Sequence, residues 1–308
     1  MNAVSLQLKS ACVLLLAATS LPASAATYTF VVAGLGGEPA YEQKFREHAA
    51  AVVSAAEKAA GSTASVISLT GDAARADAVR REFKTLAGRM SADDSAVVVL
   101  IGHGSYDGED YRLNLPGPDL TDTELARLFD ELPARDQLII NGTSASGAVF
   151  ERWQKPRRVV ITATKNGGER TATRFAQYWA QAVASDAADT NKDQIVTAAE
   201  AYQYATREVE AAYKADASMA TEHARLEGDA ARFTVARLGA AALVPDNPEV
   251  AALLSQRGVI EQDLNRVKEQ KAALADPQYY DALEDVLVRL ALLQREIDSK
   301  QAGGGATP

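Results

Sequence analysis

The sequence predicts an α/β fold with a mainly parallel sheet flanked by helices, followed by a C-terminal helical hairpin. Three observations predict it. Short runs rich in Val, Ile and Thr alternate with longer helical stretches as far as Thr173. Strands separated by helices imply right-handed crossovers and hence a parallel sheet. The run Ala96–Ile101 is apolar throughout, as expected of a strand covered on both faces. Beyond Thr173 the pattern reads as wholly helical.

In order, Tyr28–Ala33 is the first strand, ending at Gly34-Leu-Gly-Gly37, and an Ala-rich helix follows from about Pro39 to Ala60. Proline suits the first helical position, where its missing N–H costs nothing. Ala64–Thr70 is the second strand and Ala74–Met90 the second helix, with Ala78, Arg81, Phe83 and Leu86 near helical spacing. Ala96–Ile101, Gln137–Asn141 and Arg158–Thr164 are strands three to five, with a short helix at Asp122–Leu132. Thr173–Ser185 and Ala198–Tyr213 are helices, then Pro245 and Pro248 mark a link. Val250–Leu274 and Tyr279–Ile297 are amphipathic and are punctuated by Asp276-Pro277, the pattern of an antiparallel hairpin. The division is therefore 1–25 as leader, 26–240 as the α/β domain, 241–300 as the hairpin and 301–308 as a flexible tail. The hairpin is expected to pack on the main domain. Its alternative role is an oligomerisation arm, although each helix is short for a sustained coiled coil.

The leader reading rests on Lys9, the apolar run Ser10–Leu21 and the small-residue site Ala23-Ser24-Ala25, which together make a cleaved signal peptide and a secreted or periplasmic setting. The run is too short to span a bilayer, and no later segment is long enough. The chain has one Cys, Cys12, which leaves with the leader. That excludes a structural disulfide, a thiolate metal site and a cysteine nucleophile in the mature chain. A formal charge of −9 argues against nucleic acid as a partner. Gly34-Leu-Gly-Gly37 is not a dinucleotide fingerprint, because its third glycine would fall at Pro39.

In a parallel sheet the chemistry lies beyond the carboxyl ends of the strands. The third strand runs into Gly102-His103-Gly104-Ser105 and the fourth into Asn141-Gly-Thr-Ser144-Ala-Ser146-Gly147. A histidine at one strand end can act as base toward a hydroxyl at the next, and glycines there admit close backbone approach. A buried strand ending in His-Gly, followed by one ending in a small-residue turn with Ser-Gly, resembles the caspase-like superfamily, and within it the legumain branch of cysteine peptidases. The resemblance spans roughly 27–229, and through Gly34-Leu-Gly-Gly-Glu-Pro39 and Gly102–Gly108 the chain also resembles a bacterial, secreted relative of that branch. It implies that His103 is the general base, that the Gly104 N–H belongs to an oxyanion hole, and that Ser144 stands where the family has its nucleophilic cysteine. It also implies a substrate pocket near Thr162, Thr164 and Lys165, with Arg158 and Arg170 flanking it.

A hydroxyl needs a better-placed base than a thiol does. Two readings follow. In one, the protein is a peptide-bond hydrolase with Ser144 as nucleophile, His103 as base, and Asp107 or Glu109 as the orienting acid. In the other, it is an inactive relative that binds peptide or protein partners in the cell envelope. The acidic run Asp107, Glu109, Asp110 and Asp119 reads as a solvated loop or as a specificity pocket.

Between two helices, oxygen-bearing side chains Asp189, Asn191, Asp193, Thr197 and Glu200, with the Ile195 carbonyl, follow the spacing of an EF-hand calcium loop. Position six is Gln194, where glycine usually makes the turn. The same residues can instead cap a helix, with Thr197 and Glu200 forming a capping box. Calcium is the expected, structural cofactor, and a calcium-stabilised scaffold assembled through 250–297 is a third class of function. His48 and His223 read as packing or surface residues.

Overall fold

The structure is a computed structural model that describes residues 26–60, 65–239, 241–242 and 274–303, with scattered positions between 249 and 271. The expected leader with Cys12, the expected link at Pro245 and Pro248, and residues 304–308 lie outside the described residues.

A six-stranded sheet organises the chain. Its strands are β1 (Thr27–Ala33), β2 (Val66–Thr70), β3 (Ser95–Ile101), β7 (Asp136–Asn141), β8 (Arg158–Thr162) and β10 (Arg225–Glu227). They lie in the order β10-β8-β7-β3-β1-β2, parallel except for β10. Alternation along each strand sends side chains to opposite faces. Val31, Val97, Val99 and Ile140 therefore enter one core, and Phe30, Val32, Val98 and Leu100 the other. This is why β3 is apolar at every position. Helices α1 (Pro39–Ala60), α5 (Phe175–Ala184) and α6 (Ala198–Ala215) cover the first face. Helices α2 (Ala76–Arg89), α3 (Asp122–Asp130) and α4 (Phe150–Trp153) cover the second.

Two features differ from the sequence reading. The segment after β3 is a small antiparallel sheet of β4 (Gly104–Tyr106), β5 (Tyr111–Leu113) and β6 (Leu120–Thr121). Strands of two or three residues are too short to show alternation. The region after Thr173 is not wholly helical either. β10 adds an antiparallel edge to the main sheet, and β9 (Ile195–Thr197) pairs with β11 (Thr234–Arg237).

The C-terminal segment is a hairpin docked on the main domain. Its second helix, α7 (Asp276–Gly303), runs past Gln301, so the flexible tail does not begin there. The described positions from 249 to 267 are helical. Glu249 meets Lys300, Arg257 meets Gln294, and Asp263 meets Arg289, a sequence of partners that only antiparallel packing gives. Val250, Leu253, Leu293 and Ile297 form its core, which reaches the main domain at Ile195. Arg257 also donates to the Lys192 carbonyl at 2.6 Å. Among the described residues, no helix is long and apolar enough to cross a membrane.

Candidate active site

β3 and β7 are adjacent, with Leu100 opposite Asn141, and the ladder continues one bond further as Gly142 N–H donates to the Leu100 carbonyl at 2.8 Å. The two strand-end turns thus leave the sheet side by side, bringing His103 and Ser144 to one crevice. Their backbones touch. A Cβ on Gly104 would lie 2.5 Å from the Ser144 carbonyl oxygen and 2.7 Å from Thr143 Oγ1, so only glycine fits there. On the far side of the turn, Ala145 takes a left-handed φ of 55°. A Cβ on Gly147 would fall 2.2 Å from Asn166 N. That close approach locks the Ser144 turn onto the loop after β8, where Ser146 Oγ accepts from Thr164 N–H at 3.1 Å and Gly147 N–H donates to Thr164 Oγ1 at 2.8 Å.

Ser144 is 2% exposed. Among the described residues its hydroxyl has one hydrogen-bond partner, the Gly104 N–H at 3.4 Å, and no bond to His103. Beneath it lies a neutral network. The Tyr111 hydroxyl meets Thr143 Oγ1 at 2.6 Å, and Thr143 Oγ1 donates to Asn141 Oδ1 at 2.8 Å. Burial pushes the Tyr111 phenol up to about 12, so it stays a neutral hydrogen-bonding group. Asn141 is fully buried, and its Nδ2 has no partner.

His103 is braced by aromatic edges. Its ring packs against Tyr41 and Phe45, with centroids 4.9 and 5.1 Å away and both contacts T-shaped. Burial lowers its pKa, while hydrogen bonding to the Gly36 backbone and the charge of Glu38 push the other way. The ring is therefore neutral at pH 7, the form a general base needs. Its orientation comes from rings and backbone. The acids proposed to orient it do something else. Asp107 closes the β4–β5 turn, accepting from the backbone of Glu109 and Asp110 at 3.0 and 2.9 Å, and it pairs with Arg112 at 2.8 Å. These bonds hold its carboxyl far below the usual range. Glu109 is exposed at the same turn. Asp110 lies near Arg112 and Arg152, and Asp119 accepts from Asn114 and Leu115. The acidic run is thus spent on its own turn and sheet.

A cleft of about 640 Å³ opens beside the His103 braces. It is lined by Tyr41, Phe45 and His48 of α1, by the Thr171–Arg174 segment before α5, and by Tyr213 of α6. Among the described residues His48 Nδ1 has no hydrogen-bond partner, so of the two expected readings, surface or satisfied packing group, the second does not fit. Arg174 stacks on Tyr213 at 4.4 Å and pairs with Asp216 at 2.7 Å. From the sequence, Tyr41 and Phe45 carry no expected role and His48 only a packing or surface one. Their spacing of four and three residues on an Ala-rich helix was the available signal, because it puts all three on one face.

Thr164 sits beside the crevice, whereas Arg158 is at the opposite end of β8. Its guanidinium is buried, donating to Asp130 at 2.8 Å, Gln137 at 2.8 Å and the Trp153 carbonyl at 3.1 Å. It is a structural cation and not a substrate ligand. Thr162 Oγ1 donates to the Thr164 carbonyl, Lys165 approaches Glu169, and Arg170 is exposed with a weak bond to the Gly167 carbonyl. His223 Nδ1 meets Glu169 at 2.6 Å, which fits its reading as a structural residue.

In the loop 189–200, Asp189 accepts from Asp193 and Gln194 N–H groups, and Glu200 accepts from Thr190 and Thr197. The capping box between Thr197 and Glu200 is formed. Gln194 adopts φ 65°, the turn that glycine usually makes, and Lys192 adopts φ 63°. Burial, then the nearby Asp189 and Glu200 charges, raise the Asp193 pKa. Among the described residues, no group of three or more His, Cys, Asp or Glu side chains is gathered closely enough to hold a metal ion.

No known protein family matches the sequence, and no curated protein matches it. Two solved structures are similar in fold. A crystal structure of protein GSU0716 from Geobacter sulfurreducens aligns over 71% of this chain and 96% of its own, at 11% identity and a TM-score of 0.44. A crystal structure of drICE, a caspase, aligns over 66% of this chain and 87% of its own, at 9% identity and a TM-score of 0.42.

Proposed function

We propose that this protein binds peptide segments at a caspase-like crevice and does not itself cleave them. One observation carries the reading. The Ser144 hydroxyl is buried, bonded only to the Gly104 N–H, and unconnected to the one base that lies near it. A serine nucleophile needs that base to take its proton, and it needs a free oxyanion donor. Here the base is turned onto Tyr41 and Phe45, and the donor faces the hydroxyl itself. The cleft beside His103 supplies a volume for a peptide side chain, with aromatic walls from Tyr41 and Tyr213 and polar groups from His48 and Thr171. The strand order and the two strand-end turns support the caspase-like assignment; the legumain branch is a finer assignment within the same proposal.

Fluorescence anisotropy with a fluorescein-labelled random peptide pool, fractionated on the immobilised protein, tests the binding. Retained peptides are expected to bind wild type and Ser144→Ala equally and to bind Tyr41→Ala at least tenfold more weakly. Failure to retain any peptide, or equal binding to a folded Tyr41→Ala, refutes the reading.

Calcium at 189–200 is a separate proposal. The turn at Gln194 and the way Asp189 and Asn191 oxygens converge on the N–H groups of Asp193 and Gln194 support it, although the three carboxylates must draw closer to hold an ion. Binding requires Glu200 to exchange its Thr190 and Thr197 donors for the ion. Calorimetry of the full chain is expected to show saturable heat with calcium that Asp189→Asn removes. Absence of heat, with no shift in melting temperature on adding chelator, leaves the loop as a helix cap alone.

A further inference from the structure

At the opposite end of the sheet lies a second cavity, which the peptide-binding reading does not use. It is about 160 Å³, close to the volume that holds one benzene-sized molecule. Its floor is apolar and buried, from Val52 and Ala56 of α1, Val97 and Val99 of β3, and Trp179 and Val183 of α5. Its rim is partly exposed, from Thr27, Ala60, Arg232 and Arg237.

The polar side chains lining this cavity are hydroxyls and two arginines, with no carboxylate among them. Arg237 is the informative one. Its Nε–H donates to the Ala59 carbonyl at 3.3 Å, which helps cap α1 and uses one of its five N–H groups. Among the described residues no carboxylate lies within ion-pair distance of it. Burial destabilises its charge, and Asp193 compensates only from farther away. Arg232 differs, because it pairs with Asp136 and donates to the Arg157 carbonyl. Hydroxyls of Thr29, Ser95 and Thr234 complete the polar lining. A half-buried guanidinium without a counter-charge costs free energy unless an acceptor reaches it.

We propose that this cavity binds a short-chain aliphatic carboxylate. The headgroup pairs with Arg237 at the rim, where a guanidinium fork matches two carboxylate oxygens. The tail lies on the Val52, Val97 and Val183 floor, and the volume limits it to about four to six carbons. This site is independent of the crevice at Ser144.

The test is isothermal titration calorimetry of the full chain with butyrate, hexanoate, dodecanoate and the neutral hexanol at constant ionic strength, paired with thermal melts. Saturable 1:1 binding is expected for butyrate or hexanoate, at least tenfold tighter than for hexanol or dodecanoate. Arg237→Gln is expected to weaken it at least tenfold, and Arg81→Gln, an exposed position on α2 away from the cavity, to leave it unchanged. Ala56→Leu fills the cavity and is expected to abolish binding in a protein that still melts cooperatively, which keeps the test decisive if Arg237→Gln fails to fold. No saturable heat from any chain length, equal affinity for hexanol, or undiminished binding to Ala56→Leu overturns the proposal.

Discussion

The two ends of the parallel sheet are built on opposite principles. At the carboxyl end, backbones approach so closely that side chains must be absent, as at Gly104 against Ser144 and Gly147 against Asn166. At the amino end, a long side chain fills the space instead, with Arg158 joining α3, β7 and the end of α4 through Asp130, Gln137 and Trp153. The first arrangement brings two turns to a crevice and bonds their Gly104 and Gly147 N–H groups to the Ser144 and Thr164 hydroxyls. The second seals the sheet and leaves the small cavity under Arg237 as its polar opening. The difference teaches that one end is held by close backbone packing around glycines, while the other is held by side-chain networks.

The comparison can be broken from either side. The largest effect is expected from an added atom at the carboxyl end. Gly147→Ala places a Cβ into the backbone of the loop after β8 and is expected to cost about 3 kcal/mol by overpacking that cannot relax. Urea denaturation measures it. At the amino end the damage comes from removal. Arg158→Leu leaves Gln137 Oε1 without its donor and Asp130 with Lys155 alone, and is expected to cost about 2 kcal/mol, reduced from the fully buried case because Asp130 is partly exposed and keeps a partner. A smaller loss from Gly147→Ala than from Arg158→Leu reverses the comparison.

The subtlest expectation concerns pH. Burial lowers the His103 pKa below its ordinary value of 6.5, so the unfolded chain binds that proton more readily. The contribution to stability is full above 6.5 and is lost as pH falls from there through the lower folded pKa. NMR titration of the imidazole is expected to give a midpoint below 6.5. His103→Gln is expected to remove this part of the acid destabilisation. A midpoint above 6.5 would mean that Gly36 and Glu38 outweigh burial.

Much of this was legible in the sequence where side-chain pattern decides structure. β3, covered on both faces, is apolar throughout, and the two glycine-flanked strand ends pointed to His103 and Ser144. What escaped was set by contacts distant in the chain. The three short strands around Tyr111 carry no visible period. The role of Asp107 depends on Arg112 folding back across a turn, and sequence proximity to His103 suggested a different partner. Tyr41 and Phe45 looked like ordinary positions of an Ala-rich helix until α1 was laid beside the end of β3. Arg158 flanks the fifth strand in sequence, yet a strand has two ends, and only the fold says which one faces the crevice.

The central claim is that Ser144 lacks activation. The direct measurement is the hydrolysis rate of the best-bound peptides by wild type, Ser144→Ala and Ser144→Cys at pH 7. Wild type and Ser144→Ala are expected to be indistinguishable from the no-enzyme rate, and Ser144→Cys to be measurably faster, because a thiol ionises where the hydroxyl does not. Turnover by wild type that Ser144→Ala and His103→Ala each abolish would contradict the account and make the protein a serine hydrolase.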